Sequence, residues 1–190
     1  MPVLLVFGGS QGSRSINQAI WSALPALLPQ AHIAHVVGVR DWPLLAEHQP
    51  VLPESLSKRY HPVNYLYDEM ALALAAADLA VARAGASTLA EFPIARLPSV
   101  LVPLPISGGH QFPNARKLAD AGGAVIIRDE ELSEKLLPTL NALLTDENRR
   151  LRMGADAAKL ACPQAGLNIA RAIISLGDPA QIGSKGAAYV

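Results

Sequence analysis

The stretch Arg83-Ala-Gly-Ala-Ser-Thr-Leu-Ala-Glu91 reads as the end of a strand, a Gly turn and the start of a helix. Immediately before it, the apolar run Leu79 to Ala82 has the length and flanks of a buried parallel strand. Gly85 is expected to let the backbone turn tightly, and Ser87 and Thr88 place hydroxyls where the unpaired amides of a helix start also point. Such a turn can hold a phosphate. Glu91 lies one turn further along the same helix face; a carboxylate repels phosphate, but it accepts hydrogen bonds from the two neighbouring hydroxyls of a ribose. Phosphate donors followed by a diol acceptor point to a nucleotide. The same residues would also make an ordinary capped helix whose Glu offsets the dipole, so the rest of the chain has to decide.

Working outward, the strand-loop-helix unit repeats. Val3 to Phe7 is an apolar run ended by Gly8-Gly-Ser-Gln-Gly-Ser13, after which Ile16, Ile20, Ala23 and Leu27 recur at helical spacing. This loop resembles a phosphate cradle but matches neither the GxGxxG fingerprint nor the Lys-containing P-loop, so dehydrogenase and kinase readings lose support. Further strands are expected over residues 32–37, 60–66, 98–103 and 125–127. Helices are expected over 41–49, after Asp68 as N-cap, over 110–121, and in succession over 132–144, 148–161 and 167–176. Strands alternating with helices pair in parallel through right-handed crossovers. The expected fold is therefore α/β, a Rossmann-like doubly wound parallel sheet with helices on both faces. Ligands of such sheets collect beyond the strand carboxyl ends, and Gly8 to Ser13, Tyr67, Arg83 to Glu91 and Leu104 to Asn114 all follow strands. Four loops are expected to converge on one crevice.

Length and composition bound what that crevice can be. The 190 residues suit one α/β domain, taken as 1–176, and the Gly, Ser, Ala and Pro content of 177–190 predicts a flexible tail. Net charge is zero and the basic residues are dispersed, so no nucleic acid partner is expected. The hydrophobic fraction of 51% is divided into short runs, none near the roughly 20 residues of a membrane span. Cys162 has no partner for a disulfide and no companion at metal-ligand spacing, which fits a cytoplasmic protein. The chain enters a strand at Val3 with no signal sequence, and this abrupt start predicts that something precedes it. Arg149, Arg150 and Arg152 are expected to be solvent-exposed charge on a polar helix face.

His110-Gln-Phe-Pro-Asn114 opens a helix, with Gln111 and Asn114 three apart and able to face one ligand. Amide side chains offer both donors and acceptors, the mixed partners that sugar hydroxyls need; the bland alternative is that they cap the helix. His110 has no Ser, Cys or Asp partner at a motif spacing and is read as a donor to ligand, so no catalytic residue is assigned. His32, His35, His48 and His61 form no metal pattern; solvated or core-satisfied histidines are expected, and no metal. Arg83 either neutralises a phosphate or pairs with an acid such as Glu91 and orients it.

Together, Gly8-Gly-Ser-Gln-Gly-Ser13, the Arg83-Ala-Gly-Ala-Ser-Thr-x-x-Glu91 run and His110-Gln-x-x-Asn-Ala115 resemble the C-terminal half of the MurG family, the UDP-GlcNAc transferases of peptidoglycan synthesis. The resemblance covers nearly everything from Val3 to about Leu176, in order and spacing. It implies a GT-B architecture of two Rossmann-like domains. The C-terminal one binds most of UDP-GlcNAc, and an N-terminal one, absent from this chain with its Gly-rich motif and His, meets the lipid-linked MurNAc-pentapeptide. It further implies direct inversion without metal or cofactor, UDP-GlcNAc being the donor substrate, by an enzyme working in the cytoplasm at the inner face of the cell membrane. This chain alone would not catalyse transfer. By position, Ser10 would lie near the diphosphate, the backbone at Tyr67 would meet the uracil edge, and Glu91 would hold the ribose hydroxyls. Ser87, Thr88 and the amides beside Gly85 and Ala86 would take the phosphates, while His110, Gln111 and Asn114 would face the GlcNAc hydroxyls. Gly109, where the family commonly has an acid, and Tyr67, where it has an aliphatic residue, are departures that bear on fine specificity. The alternatives are a naturally short donor-binding subunit of a bipartite UDP-GlcNAc transferase, a related glycolipid glycosyltransferase, and a non-catalytic nucleotide-binding module on the same fold.

Overall fold

The computed structural model describes residues 1–105 and 110–176; Gly109 and the tail expected at 177–190 lie outside the described residues. In chain order the elements are β1 (Val3–Phe7), α1 (Arg14–Leu27), β2 (His32–Val36), α2 (Leu45–His48), α3 (Glu54–Ser57), β3 (Tyr60–Val63), α4 (Met70–Ala76), β4 (Leu79–Ala82) and α5 (Ala86–Ala95). They continue with β5 (Ser99–Leu101), α6 (Gln111–Asp120), β6 (Ala124–Ile126), α7 (Leu132–Thr145), α8 (Glu147–Ala158) and α9 (Ala165–Leu176). The strands form one six-stranded sheet in the order β3-β2-β1-β4-β5-β6, and every pairing is parallel. This is the doubly wound α/β sheet that the sequence predicts.

Strand alternation sends successive residues into two apolar layers. Leu4 and Val6 of β1 join Ile16, Ile20 and Leu24 of α1 and Leu136 and Leu140 of α7 in one layer. Leu5 and Phe7 join Phe92 of α5, Leu118 of α6 and Ala157 of α8 in the other. The Phe7 and Phe92 rings meet edge to face with centroids 5.9 Å apart. Each fully buried Leu, Ile or Phe stabilises by roughly 1.5–3 kcal/mol, which is why these strands are apolar on both sides rather than alternating.

Local departures from the sequence reading have local causes. The strand expected over 60–66 ends at Val63 and contains Pro62, which is tolerated because β3 is at the sheet edge, where one side of the backbone needs no ladder partner. Residues 41–49 form a 3-10 turn over Trp42–Leu44 and then α2, Pro43 standing at the start of the turn. Glu69 rather than Asp68 precedes α4, and neither caps it through a side chain. Arg150 is buried, contrary to the expectation of solvent-exposed charge: its guanidinium donates to the Leu143 and Leu144 carbonyls, both at 2.7 Å, and so satisfies the end of α7.

The chain runs outward from β1 through β2 to β3, then returns to β1's other side to lay down β4, β5 and β6. Adjacent crossovers therefore leave on opposite faces at the β1/β4 boundary, and a crevice opens beyond the carboxyl ends of those strands.

Candidate functional site

That crevice has a volume of about 720 Å³ and is lined by the loop from Gly8 to Ser15 together with Gln18, Arg40, Arg83, Leu104, Gln111 and Asp129. Three of the helices that begin at this edge stand at the crevice: α1 after β1, α5 after β4 and α6 after β5. None of them starts with a side-chain cap and none has an acid in its first turn. At the opposite edge, beside Asp78 and Pro98, α8 starts differently, with Asp146 accepting from the Arg149 amide and Glu147 in its first turn. Unpaired first-turn amides and the positive end of the helix dipole favour an anion, so these three starts suit one, whereas α8 and also α7, which follows β6 with Glu134 in its first turn, supply their own acids.

The β4–α5 turn is held from beneath. Thr88 is buried and its hydroxyl donates to the Arg83 carbonyl at 2.9 Å, while Asn114 Nδ2 donates to the Ala84 carbonyl at 3.1 Å. Gly85 is the N-cap of α5 with φ −67°, so the positive-φ freedom expected of it is not used. A Cβ there would meet nothing within 4 Å, so no described neighbour requires a glycine at this position. Ser87 is exposed and Glu91 half-buried, four residues apart on one face of α5, and neither side chain bonds to another described residue.

Arg83 is not a free cation and its partner is not Glu91. Its Nη1 lies 2.5 Å from Asp129 Oδ1 and donates to the Val102 carbonyl at 3.1 Å. Its Nη2 donates to the Ser13 and Ser15 hydroxyls at 2.7 and 2.8 Å, and Ser15 in turn donates to Asp129 at 2.8 Å. One planar guanidinium thus ties together the end of β4, the start of α1, the end of β5 and the turn after β6. Asp129 and Ser15 were not singled out from the sequence, and Ser13 stood there only as the end of the Gly loop. The only signal for Asp129 is an acid just past a strand, and no spacing rule joins it to Arg83.

A second polar chain lies under the Gly loop. Asn17 Nδ2 donates to the Val37 carbonyl and to Asp41 Oδ2, both at 2.9 Å, and the buried Asp41 also holds Arg14 at 2.8 Å. With the amide nitrogen donating, Asn17 Oδ1 must accept, so His35 carries its proton on Nε2 across the 2.9 Å contact. His35 Nδ1 is then the acceptor of the Tyr60 hydroxyl at 2.9 Å, and that hydroxyl accepts from Trp21 Nε1 at 3.1 Å. Burial lowers the His35 pKa to about 3 and keeps the ring neutral, and burial likewise pushes the Tyr60 hydroxyl up. His35 is therefore a core-satisfied histidine, as expected.

Residues 3–166 match the glycosyltransferase family 28 C-terminal domain. The chain belongs to this family. It is 41% identical over 178 residues, 93% of its own length and 47% of the relative's, to the UDP-N-acetylglucosamine--N-acetylmuramyl-(pentapeptide) pyrophosphoryl-undecaprenol N-acetylglucosamine transferase of Nocardioides sp.. The protein of the same name from Roseiflexus sp. is 42% identical over 190 residues, 90% of this chain and 43% of that one. The crystal structure of MurG from Acinetobacter baumannii superposes with a TM-score of 0.78 at 29% identity, over 92% of this chain and 50% of that one. The chain therefore spans about half the length of the relatives it matches.

Within this family fold the residues expected from the sequence fall into separate groups. Ser10, Arg83 and Gln111 line the crevice. Gln111 Oε1 accepts from the Leu104 amide at 3.0 Å, which leaves its NH₂ group as a donor. Gly85, Ala86, Ser87, Thr88 and Glu91 lie on the adjoining β4–α5 turn and helix, and Asn114 is bonded to that turn. His110 is the exposed N-cap of α6. Tyr67 stands on the β3–α4 connection, exposed, its ring edge-on to Tyr65 at 4.7 Å. Its amide donates to Glu69 at 3.2 Å and its carbonyl accepts from Met70 at 3.3 Å. Its backbone thus already has local partners.

Proposed function

We propose that this chain binds UDP-GlcNAc as the donor half of an inverting glycosyltransferase that delivers GlcNAc to a lipid-linked MurNAc-pentapeptide in peptidoglycan synthesis. The observation that carries the reading is the convergence of three uncapped, acid-free helix starts on the switch-point crevice of a family 28 chain. The names of the curated relatives supply the donor and the acceptor. In this reading Ser10, the amides at Ala86 and Ser87 and the Ser87 hydroxyl receive the diphosphate, and Thr88 keeps their turn in place from below. Glu91 accepts from the ribose hydroxyls, the Tyr67 segment faces the uracil, and His110, Gln111 and Asn114 face the sugar.

The reaction is a single displacement. An acceptor hydroxyl attacks the anomeric carbon, the bond from that carbon to the diphosphate oxygen breaks with inversion, and the hydroxyl proton passes to a base or water on the acceptor side. UDP departs with an added negative charge. Helix amides preorganised at the site of that charge stabilise it without a metal or cofactor. The acceptor is met by a second domain, which accounts for the half of the relatives' length that this chain does not match. The whole enzyme works at the cytoplasmic face of the membrane; among the described residues no helix is long and apolar enough to cross one.

Calorimetric titration of the chain with UDP-GlcNAc, with UDP-GalNAc and ADP-glucose as controls, tests this. Selective binding of UDP-GlcNAc is the expected result. Equal binding of the purine nucleotide sugar would overturn the assignment of the crevice.

A further inference from the structure

Three guanidinium groups line the crevice, those of Arg14, Arg40 and Arg83. Two of them are already neutralised. Arg14 is bound by Asp41 through Nη2 at 2.8 Å and Nε at 2.9 Å, and Arg83 by Asp129 at 2.5 Å. Arg40 is exposed and has no carboxylate partner among the described residues. It is therefore the one uncompensated charge among the described residues of the lining.

Its backbone is also well held. Asp41, the next residue, is 2% exposed and fixed by Asn17 and Arg14. Asp41 and Trp42 donate their amides back to the Gly38 carbonyl at 3.2 and 3.0 Å, closing the turn that carries Arg40. Gly38 and Gly12 have φ of +89° and +83°, and a Cβ on Gly38 would sit 2.3 Å from the Gly12 Cα, so the turn is seated directly on the Gly loop. A flexible cationic side chain thus projects from a fixed backbone into a crevice whose other positive groups are helix amides.

We propose that Arg40 is the diphosphate-binding cation of this site, a role for which Arg83 is one of two readings in the sequence. The inference rests on the reading of the crevice as a UDP-sugar site. A guanidinium offers a diphosphate two parallel N–H donors, and its charge is retained at every physiological pH. Arg83, saturated by four oxygen partners, sets the shape of the crevice and not its net charge.

The test is titration of UDP into the wild-type chain, Arg40→Gln and Arg40→Lys at low and high salt, with a thermal melt of each. Arg40→Gln is expected to bind UDP about tenfold more weakly at low salt, the loss of one charge-assisted contact. The gap should narrow at high salt, where the charge is screened. Arg40→Lys should fall between the two, because the charge remains while the parallel pair of donors is lost. All three should melt together, since the side chain is exposed. Equal affinity of Arg40→Gln and wild type overturns the inference alone, as does an Arg40→Lys variant as weak as Arg40→Gln. Absence of UDP binding by the wild type overturns the reading of the crevice and the inference with it.

Discussion

Asp129 owes its place to Arg83. A guanidinium whose side chain is only 11% exposed needs a counter-charge, and Asp129 with the Ser13 and Ser15 hydroxyls supplies it. Removing one partner of such a pair leaves a desolvated charge. Asp129→Asn is expected to lower unfolding stability by about 2–4 kcal/mol, read by urea titration; a change within a few tenths would mean the pair is solvent-screened. Glu91 is the opposite kind of residue, half-buried and without a bond to another described side chain, so it is available to a ligand. Glu91→Ala is expected to abolish measurable UDP affinity while leaving the melting temperature in place; unchanged binding by calorimetry would sink the ribose assignment. The sequence made Arg83 and Glu91 visible because both stand in one local motif. It hid Asp129, because a contact between distant segments leaves no periodicity to read.

Among the elements, the decisive contact is between two loops rather than between helices. The β1–α1 loop and the turn after β2 touch through Gly12 and Gly38, both at positive φ, where any side chain is strained and where a Cβ would meet backbone. Gly38→Ala is expected to destabilise by roughly 1–3 kcal/mol and to loosen the loop that lines the crevice. Hydrogen exchange would show this as faster exchange at Gly12 and Asn17; protection equal to wild type at both would argue that the loops move independently. The helices and strands themselves were largely legible, since apolar periodicity of 3.6 or continuous apolar runs set their type. What escaped was the use of single residues at their ends: Glu69 rather than Asp68 before α4, and Arg150 turned inward onto the α7 carbonyls.

At the scale of the molecule, the chain of hydrogen bonds from Trp21 through Tyr60, His35 and Asn17 to Asp41 runs from the core to the crevice rim. It makes stability depend on pH. The folded His35 pKa is lowered from 6.5 to about 3, so the unfolded chain takes the proton first. The contribution of the neutral ring is complete above pH 6.5 and is lost progressively as pH falls toward 3. About 2 kcal/mol should be missing at pH 5 relative to pH 7. Urea unfolding of wild type and His35→Gln at the two pH values measures it, the variant lacking this increment of the pH slope. An equal slope in both would place the acid sensitivity elsewhere.

The amino-acid sequence alone determined the alternation of strands and helices, hence the doubly wound sheet and the edge at which ligands gather, because hydrophobic period and Gly turns are local properties of the chain. Its three motifs were enough to indicate the family. The tertiary structure alone decided which charges remain available at that edge. Net charge in a crevice is set by pairing across loops, Arg14 with Asp41 and Arg83 with Asp129. Those distances follow from strand order and register, which no single stretch of the chain encodes.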